Sequence, residues 1–246
     1  MSKRVVSTYA WSAFVLPLAC LLAVLGETGP AAAQSAPRSD GLAETGSLYA
    51  RLSAGAVFPN RLVQDVLVPQ SGLVSLEGPV TERETTFGAG VQAGAAIGFA
   101  FPDGTRTELE YRYAGPSVDS VVERNDGSLE QPRIADDSVG VHYLMSNVYF
   151  DFDMGGPIVP FVGGGVGGAF VENGLGDSDA AFAYQGRAGL AAELGPALMF
   201  DVEYVYNRTR ALIFGPNDPN NTTPNGTFGG DPLATSSVMA SIRKTF

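Results

Sequence analysis

Side chains alternate between apolar and polar along most of the chain after residue 46. The clearest stretch runs from Thr86 to Phe101, where every odd position is apolar and no even position carries a large apolar side chain. Strict alternation over this length predicts a β-strand whose two faces meet different surroundings. We find no helical stripe and no long apolar run in this part of the sequence.

The same alternation recurs often enough to give eight strand-like segments, at about 48–58, 86–101, 106–113, 139–152, 160–171, 182–194, 198–207 and 236–246. Tight turns at 102–104, 153–156 and 195–197 connect some of them, and polar stretches connect the others, at about 59–85, 116–138, 171–179 and 210–235. Short turns at one end and long loops at the other are typical of outer-membrane barrels. We therefore predict an all-β fold: an eight-stranded antiparallel up-and-down transmembrane β-barrel over residues 47–246.

The first 33 residues have the pattern of a secretory signal peptide. Lys3 and Arg4 precede an apolar run at 13–25, and a small-residue cleavage site follows at 31–33. The apolar run is shorter than the ~20 residues that a spanning helix needs. We predict a signal peptide at 1–33, a periplasmic linker at 34–46, and a barrel in the Gram-negative outer membrane with both of its chain ends in the periplasm.

Charge and cysteine content narrow the partners of the mature chain. The single cysteine, Cys20, lies in the predicted signal peptide, so neither disulfides nor cysteine-bound metal can hold the barrel. The net charge of −11 disfavours nucleic acid, which requires a basic surface. The predicted partners are membrane lipids and lipopolysaccharide, the outer-membrane assembly machinery, and a host or matrix ligand bound through the loops.

The polar face of the predicted strands carries charges of both signs. An eight-stranded barrel is only wide enough for its inward side chains to fill it or to hold one small ligand. The predicted lumen charge network consists of Arg51, Arg106, Arg112, Arg187 and Arg243 with Glu108, Glu110, Asp151, Glu193, Asp201 and Glu203. Two interpretations remain open: an ion-paired core, or a narrow charged conduit in which inward glycines leave room for water.

Three sequence features suggest other chemistry, and each has a simpler explanation. The G-x-G-x-x-G pattern at 163–168 lies inside a strand-like segment, whereas a dinucleotide site needs it between a strand and a helix. His142, the single histidine, is expected on the lipid-facing side near the outer rim. The acidic loop residues lack Ca²⁺-binding spacing. We predict no catalytic residue, no cofactor and no metal site.

Several segments resemble the porin-like surface-antigen family of outer-membrane β-barrels, common in alphaproteobacteria. They are Met145–Phe152, Pro160–Gly168, Phe182–Gln185 and Ser237–Arg243. The resemblance covers about 47–246 and implies an eight-stranded barrel with exposed loops and no catalytic residues. It suggests a non-enzymatic structural or surface-antigen role, with a narrow small-solute porin or a loop-mediated adhesin as alternatives.

The chain ends on an aromatic residue, Phe246, which is the usual last residue of such barrels and the predicted assembly signal. Lys244 stands where the resembled family usually has an aromatic residue. Its charge can extend to the headgroup layer, so insertion should survive this change.

Overall fold

The structure is a computed structural model that describes residues 46–68, 80–125, 130–133, 137–173, 178–214 and 227–246. The folded unit is Ser47–Phe246. The predicted signal peptide and linker lie outside the described residues, apart from Gly46. These residues contain no helix with the length and hydropathy to cross a membrane.

The described chain forms strands joined by short connections. In chain order the strands are β1 (Ser47–Pro59), β2 (Leu62–Val68), β3 (Val80–Ala100), β4 (Thr105–Asn125), β5 (Glu130–Arg133), β6 (Asp137–Asp151), β7 (Ile158–Asn173), β8 (Ser178–Gly195), β9 (Leu198–Phe214) and β10 (Thr227–Thr245).

Eight of these strands close a ring in the order β1, β3, β4, β6, β7, β8, β9, β10, and β10 pairs back onto β1. All eight pairings around the ring are antiparallel, including the closing pair of β1 and β10. β2 continues β1 beyond Asn60 and Arg61, because it pairs with the same neighbours, β3 and β10. β5 likewise pairs with β4 beyond the start of β6. The predicted eight-stranded antiparallel barrel is confirmed.

The two ends of the barrel differ, and we call them the turn end and the loop end. At the turn end the connections are short: 101–104, 152–157 and 196–197, with both chain ends of the barrel beside them. Gly104 adopts a φ of +83°, a conformation that suits glycine. At the loop end the described strands stop, and the residues between them in the chain, 69–79, 126–129, 134–136, 174–177 and 215–226, fall outside the described residues.

The predicted loops were too long. The strands continue into them, so that β3 and β4 each reach 21 residues, about twice what a tilted strand needs to span the hydrocarbon. The alternation seen in the middle of each strand does not continue there, because the outer face can be polar where the outside is water, while inward residues such as Val118 and Val139 are apolar. Backbone groups still need partners, and pairing with the neighbouring strand supplies them.

The outer surface of the barrel is apolar through its middle. Leu48, Ile97, Leu109, Val148 and Val202 are all exposed on outward positions of five different strands. Aromatic side chains border this band. They include Phe99, Phe101, Phe150, Phe152 and Phe200 towards the turn end and Tyr111, Phe170, Phe182, Tyr184 and Tyr204 towards the loop end. Apolar exteriors with aromatic borders fit a surface that contacts lipid.

Candidate functional site in the barrel lumen

Strand parity directs the predicted charged residues into the lumen. Ten of the eleven are inward-facing: nine are buried, and Asp151 is half-buried near the turn end. Six of the eight ring strands contribute them. Glu193 is the exception and corrects the prediction: it is exposed beside the β8–β9 turn and makes no ion pair within the described residues. Its parity is inward, but it lies too close to the turn end to be covered.

Arg51 on β1 joins carboxylates from two other strands. Its Nε and Nη2 donate to the two oxygens of Glu108 at 2.9 and 2.6 Å, a two-pronged contact with a carboxylate. Its Nη1 donates to Glu203 Oε1 at 2.6 Å. The Tyr149 hydroxyl accepts from Arg51 at 3.2 Å and donates to Glu108 at 3.1 Å. The guanidinium is thereby surrounded by acceptors, as a buried charge requires.

Arg187 on β8 repeats this arrangement from the other side of the lumen. Its Nη2 donates to Glu110 Oε1 at 2.6 Å, and its Nη1 donates to Glu203 Oε1 at 3.0 Å. Glu203 therefore links Arg51 and Arg187. Glu110 is 0% exposed and also accepts a hydrogen bond from Gln185 at 3.2 Å.

Arg112 reaches across the barrel. Its Nη2 donates to Asn207 Oδ1 at 2.7 Å and to Gln185 Oε1 at 3.1 Å. β4 and β9, which carry Arg112 and Asn207, stand opposite each other in the ring. The guanidinium also lies 4.8 Å above the ring of Tyr143, a cation–π contact.

Asn147, Gln185 and Asn207 are lumen residues that the sequence prediction missed. Gln185 Nε2 donates to Asn147 Oδ1 at 2.5 Å, and Asn147 Nδ2 approaches Glu108 and Glu110 at 3.3 Å. All three lie on the same strand face as the charged residues, and the alternation in the sequence already indicated this face. They were missed because the prediction collected charges alone.

A second group of charges lies nearer the turn end. Arg106 donates through Nε and Nη2 to Asp151 at 2.7 and 2.8 Å and stacks 4.6 Å from the Tyr149 ring. Arg243 donates to Asp201 at 3.2 Å. With Glu193 outside the network, five arginines face five carboxylates, so the charges of these ten residues balance. We call these ten residues, with Asn147, Tyr149, Gln185 and Asn207, the ionic layer.

Inward glycines make room for the large side chains of this layer. A Cβ on Gly98 would overlap the Tyr49 ring, and one on Gly163 would overlap the Tyr149 ring. These glycines lie on β3 and β7, the two ring strands that contribute no charge to the layer. The space left by these two glycines therefore receives protein side chains rather than a column of water.

Beyond the ionic layer, towards the loop end, the lumen becomes apolar. The side chains that fill it are buried and in mutual contact, and we call them the apolar layer: Val57, Leu62, Ala114, Val118, Val139, Val141, Tyr143, Met145, Ala169, Val171, Ala183, Leu212 and Leu233. This layer was not predicted from the sequence. The signal was a reversal of polarity along single strands, as in β4, where Arg112 is followed inward by Ala114 and Val118.

The outside of the barrel changes polarity at the same level. On β9, outward Phe200, Val202 and Tyr204 give way to outward Arg208 and Arg210, both exposed. The strands are thus apolar outside and charged inside near the turn end, and apolar inside with charged positions outside near the loop end. This reversal matches a passage from lipid to water around the barrel.

The remaining sequence candidates take structural places. His142 lies on the outer face, where its Nδ1 is 2.7 Å from the Tyr111 hydroxyl. The glycine pattern at 163–168 is the middle of β7. Among the described residues, no group of three or more His, Cys, Asp or Glu side chains is placed to hold a metal ion.

Phe246 closes the turn end of the ring. Its backbone N–H donates to Leu48 O at 2.9 Å, and its ring is 67% exposed. The Lys244 ammonium lies 5.5 Å from the ring centre.

Together, the closed ring, the apolar exterior and the charged lumen define an outer-membrane β-barrel. The chain belongs to the surface antigen family, whose model matches residues 80–208, more than half of the sequence. No sequence among the curated proteins compared matches it. The protein is therefore located in the Gram-negative outer membrane, as predicted.

Solved structures agree on the fold. Neisserial surface protein A is 16% identical, with 82% of this chain and 100% of that chain covered and a TM-score of 0.50. The outer membrane protein OprG from Pseudomonas aeruginosa is 14% identical, with 80% and 96% covered and a TM-score of 0.51. The outer membrane protease OmpT from Escherichia coli is 8% identical, with 89% and 100% covered, and its TM-score of 0.41 is too low to support an argument about activity.

Proposed function

We propose that this protein is a non-enzymatic structural component and surface antigen of the outer membrane, with a lumen closed to solutes. The observation that carries the proposal is the contact between Arg112 and Asn207, which joins opposite strands across the lumen at 2.7 Å. The apolar layer adds a second barrier above it, because an ion would have to leave water to pass buried Val141, Met145 and Leu212.

Planar-bilayer recording of the folded protein tests the closed lumen. We expect no discrete channels from the wild type. We also expect none from Arg112→Ala/Asn207→Ala or from Met145→Ala/Leu212→Ala, because the hydrogen-bonded network of Arg51, Glu203, Arg187 and Glu110 still crosses the lumen in both variants. Reproducible wild-type channels of one size would support the narrow porin instead. Folding of each variant is checked by the gel mobility difference between boiled and unboiled samples.

The adhesin alternative rests on loops at the cell-facing end, and no described contact favours a particular ligand there. The structural and surface-antigen role therefore remains the proposed function. The proposal that the protein is not an enzyme would fail if its overexpression changed the mass of lipid A or caused cleavage of an outer-membrane substrate.

We also propose that Phe246 is read by the outer-membrane assembly machinery. The exposed terminal ring supports this, because it stays accessible at the end of the last strand. Phe246→Ala should lower the amount of folded protein in the outer membrane, whereas Phe152→Ala, an exposed aromatic at the same end, should leave it near the wild-type amount. Equal losses in both variants would contradict a specific signal.

A further inference from the structure

The outer face of β9 carries two arginines immediately beyond the apolar band. Arg208 and Arg210 are both exposed and lie on the same face of the strand, about 7 Å apart along it. Neither forms an ion pair with a carboxylate of the described residues. The chain as a whole has a net charge of −11, so this pair forms a positive site on a negatively charged protein.

Their depth follows from the strand itself. Phe200 lies in the aromatic border near the turn end, and Arg210 is ten positions further along β9. A tilted strand crosses the hydrocarbon in about 9–11 residues, so both arginines reach the headgroup level at the loop end. An outward arginine is costly at the bilayer centre and nearly free of cost at this level.

Aromatic side chains complete the surface around the two cations. Arg208 pairs in register with Tyr184 of β8, and the Arg210 guanidinium lies 6.0 Å from the Phe182 ring. Phe182, Tyr184 and Tyr204 are each about half exposed, and Tyr204 lies on β9 nearer the turn end than both arginines. The surface therefore offers two guanidinium groups at headgroup height, with two exposed aromatic side chains beside them and a third towards the lipid.

We propose that Arg208 and Arg210 bind a phosphate group of the glycolipid that forms the outer leaflet, the lipid A portion of lipopolysaccharide. The loop end faces the cell exterior in the usual orientation of such barrels, so this leaflet is the one beside the pair. Guanidinium groups bind phosphate through two parallel hydrogen bonds, and the neighbouring exposed aromatic side chains suit acyl chains. The proposal does not depend on whether the lumen conducts.

Lipid titrations on the folded full chain in detergent test the site. The probes are lipid A with its phosphates, the same lipid with its phosphates removed, phosphatidylglycerol, and inorganic phosphate. Binding is measured by native mass spectrometry. We expect Arg208→Gln/Arg210→Gln to weaken binding of phosphorylated lipid A by about tenfold per arginine, since a hydrogen bond to a charged group is worth about that factor.

Arg61→Gln is the matched control. Arg61 is also an exposed arginine at the loop end, but it is already paired with Glu84 at 3.0 Å, so its loss should leave lipid A binding unchanged. If the double variant does not give the folded form, Arg210→Gln alone should still lose about tenfold. Wild-type affinity in the variant would overturn the proposal. Equal binding of the dephosphorylated lipid, phosphatidylglycerol or inorganic phosphate would also overturn it.

Discussion

The ionic layer lies where the barrel is surrounded by lipid, whereas the apolar layer lies towards the loop end, where the outside becomes polar. In the ionic layer each buried charge depends on a specific partner on another strand, as Arg51 depends on Glu108 and Glu203. In the apolar layer the contacts are non-directional, and any side chain of the right volume can serve. The ionic layer therefore specifies the register of the strands, and the apolar layer supplies stability from burial against water.

The largest expected effect comes from removing one partner in the ionic layer. Glu110→Ala leaves Arg112 buried without a carboxylate partner and leaves Arg187 with Glu203 alone, which should cost about 3–5 kcal/mol. The measurement is the urea midpoint of unfolding in detergent. Glu193→Ala is the control, because Glu193 is exposed, and it should change stability by less than about 0.5 kcal/mol. Equal effects would mean that the pairing in this layer contributes little.

A smaller effect is expected in the apolar layer. Leu212 is 0% exposed, and Leu212→Ala should cost about 2–4 kcal/mol through lost burial and the remaining cavity. Its neighbour Ile213 is 52% exposed on the outer face, so Ile213→Ala should cost less than about 1 kcal/mol in the same unfolding assay. A larger loss of stability in Ile213→Ala than in Leu212→Ala would show that the lumen at this level is not packed.

The smallest expected effect concerns the room that glycine makes for the ionic layer. Gly98→Ala should destabilise the protein by about 1–3 kcal/mol, because the added methyl group meets the Tyr49 ring. Gly186→Ala is the matched control: nothing lies within 4 Å of a Cβ built there. Unfolding midpoints that fall equally in both variants would indicate a general loss from glycine replacement and not a specific contact with Tyr49.

The ring of eight strands was predictable because alternation is strong wherever lipid touches one face and charges occupy the other. The partners within the lumen were not predictable from one sequence. Arg112 and Asn207 are 95 positions apart, and their contact depends on how the strands stagger around the ring. Depth along the strand was also hidden: parity alone placed Glu193 with the network, although the structure leaves it at the open rim.

The apolar layer was missed for a related reason. Parity was assigned from the middle of each strand and extended outward, as if the exterior stayed the same. When the surroundings change from lipid to water, inward Val118 and outward Asp119 reverse the pattern that Leu109 and Glu110 established on the same strand. A search for such reversals in β4, β6 and β9 would have located the level at which the membrane ends.

The pairing between β1 and β10 determines when the barrel can close. Leu52 lies opposite Ile242, so the first barrel strand finds one of its two neighbours only when the last strand is present. Contacts so distant in the chain are slow to form, and the barrel cannot close during synthesis. Until then Arg51 has no access to Glu203 in its native place. The outer edges of β1 and β10 therefore stay without each other as partners until the last strand has been added, and the pairing of these two strands is the step that closes the ring.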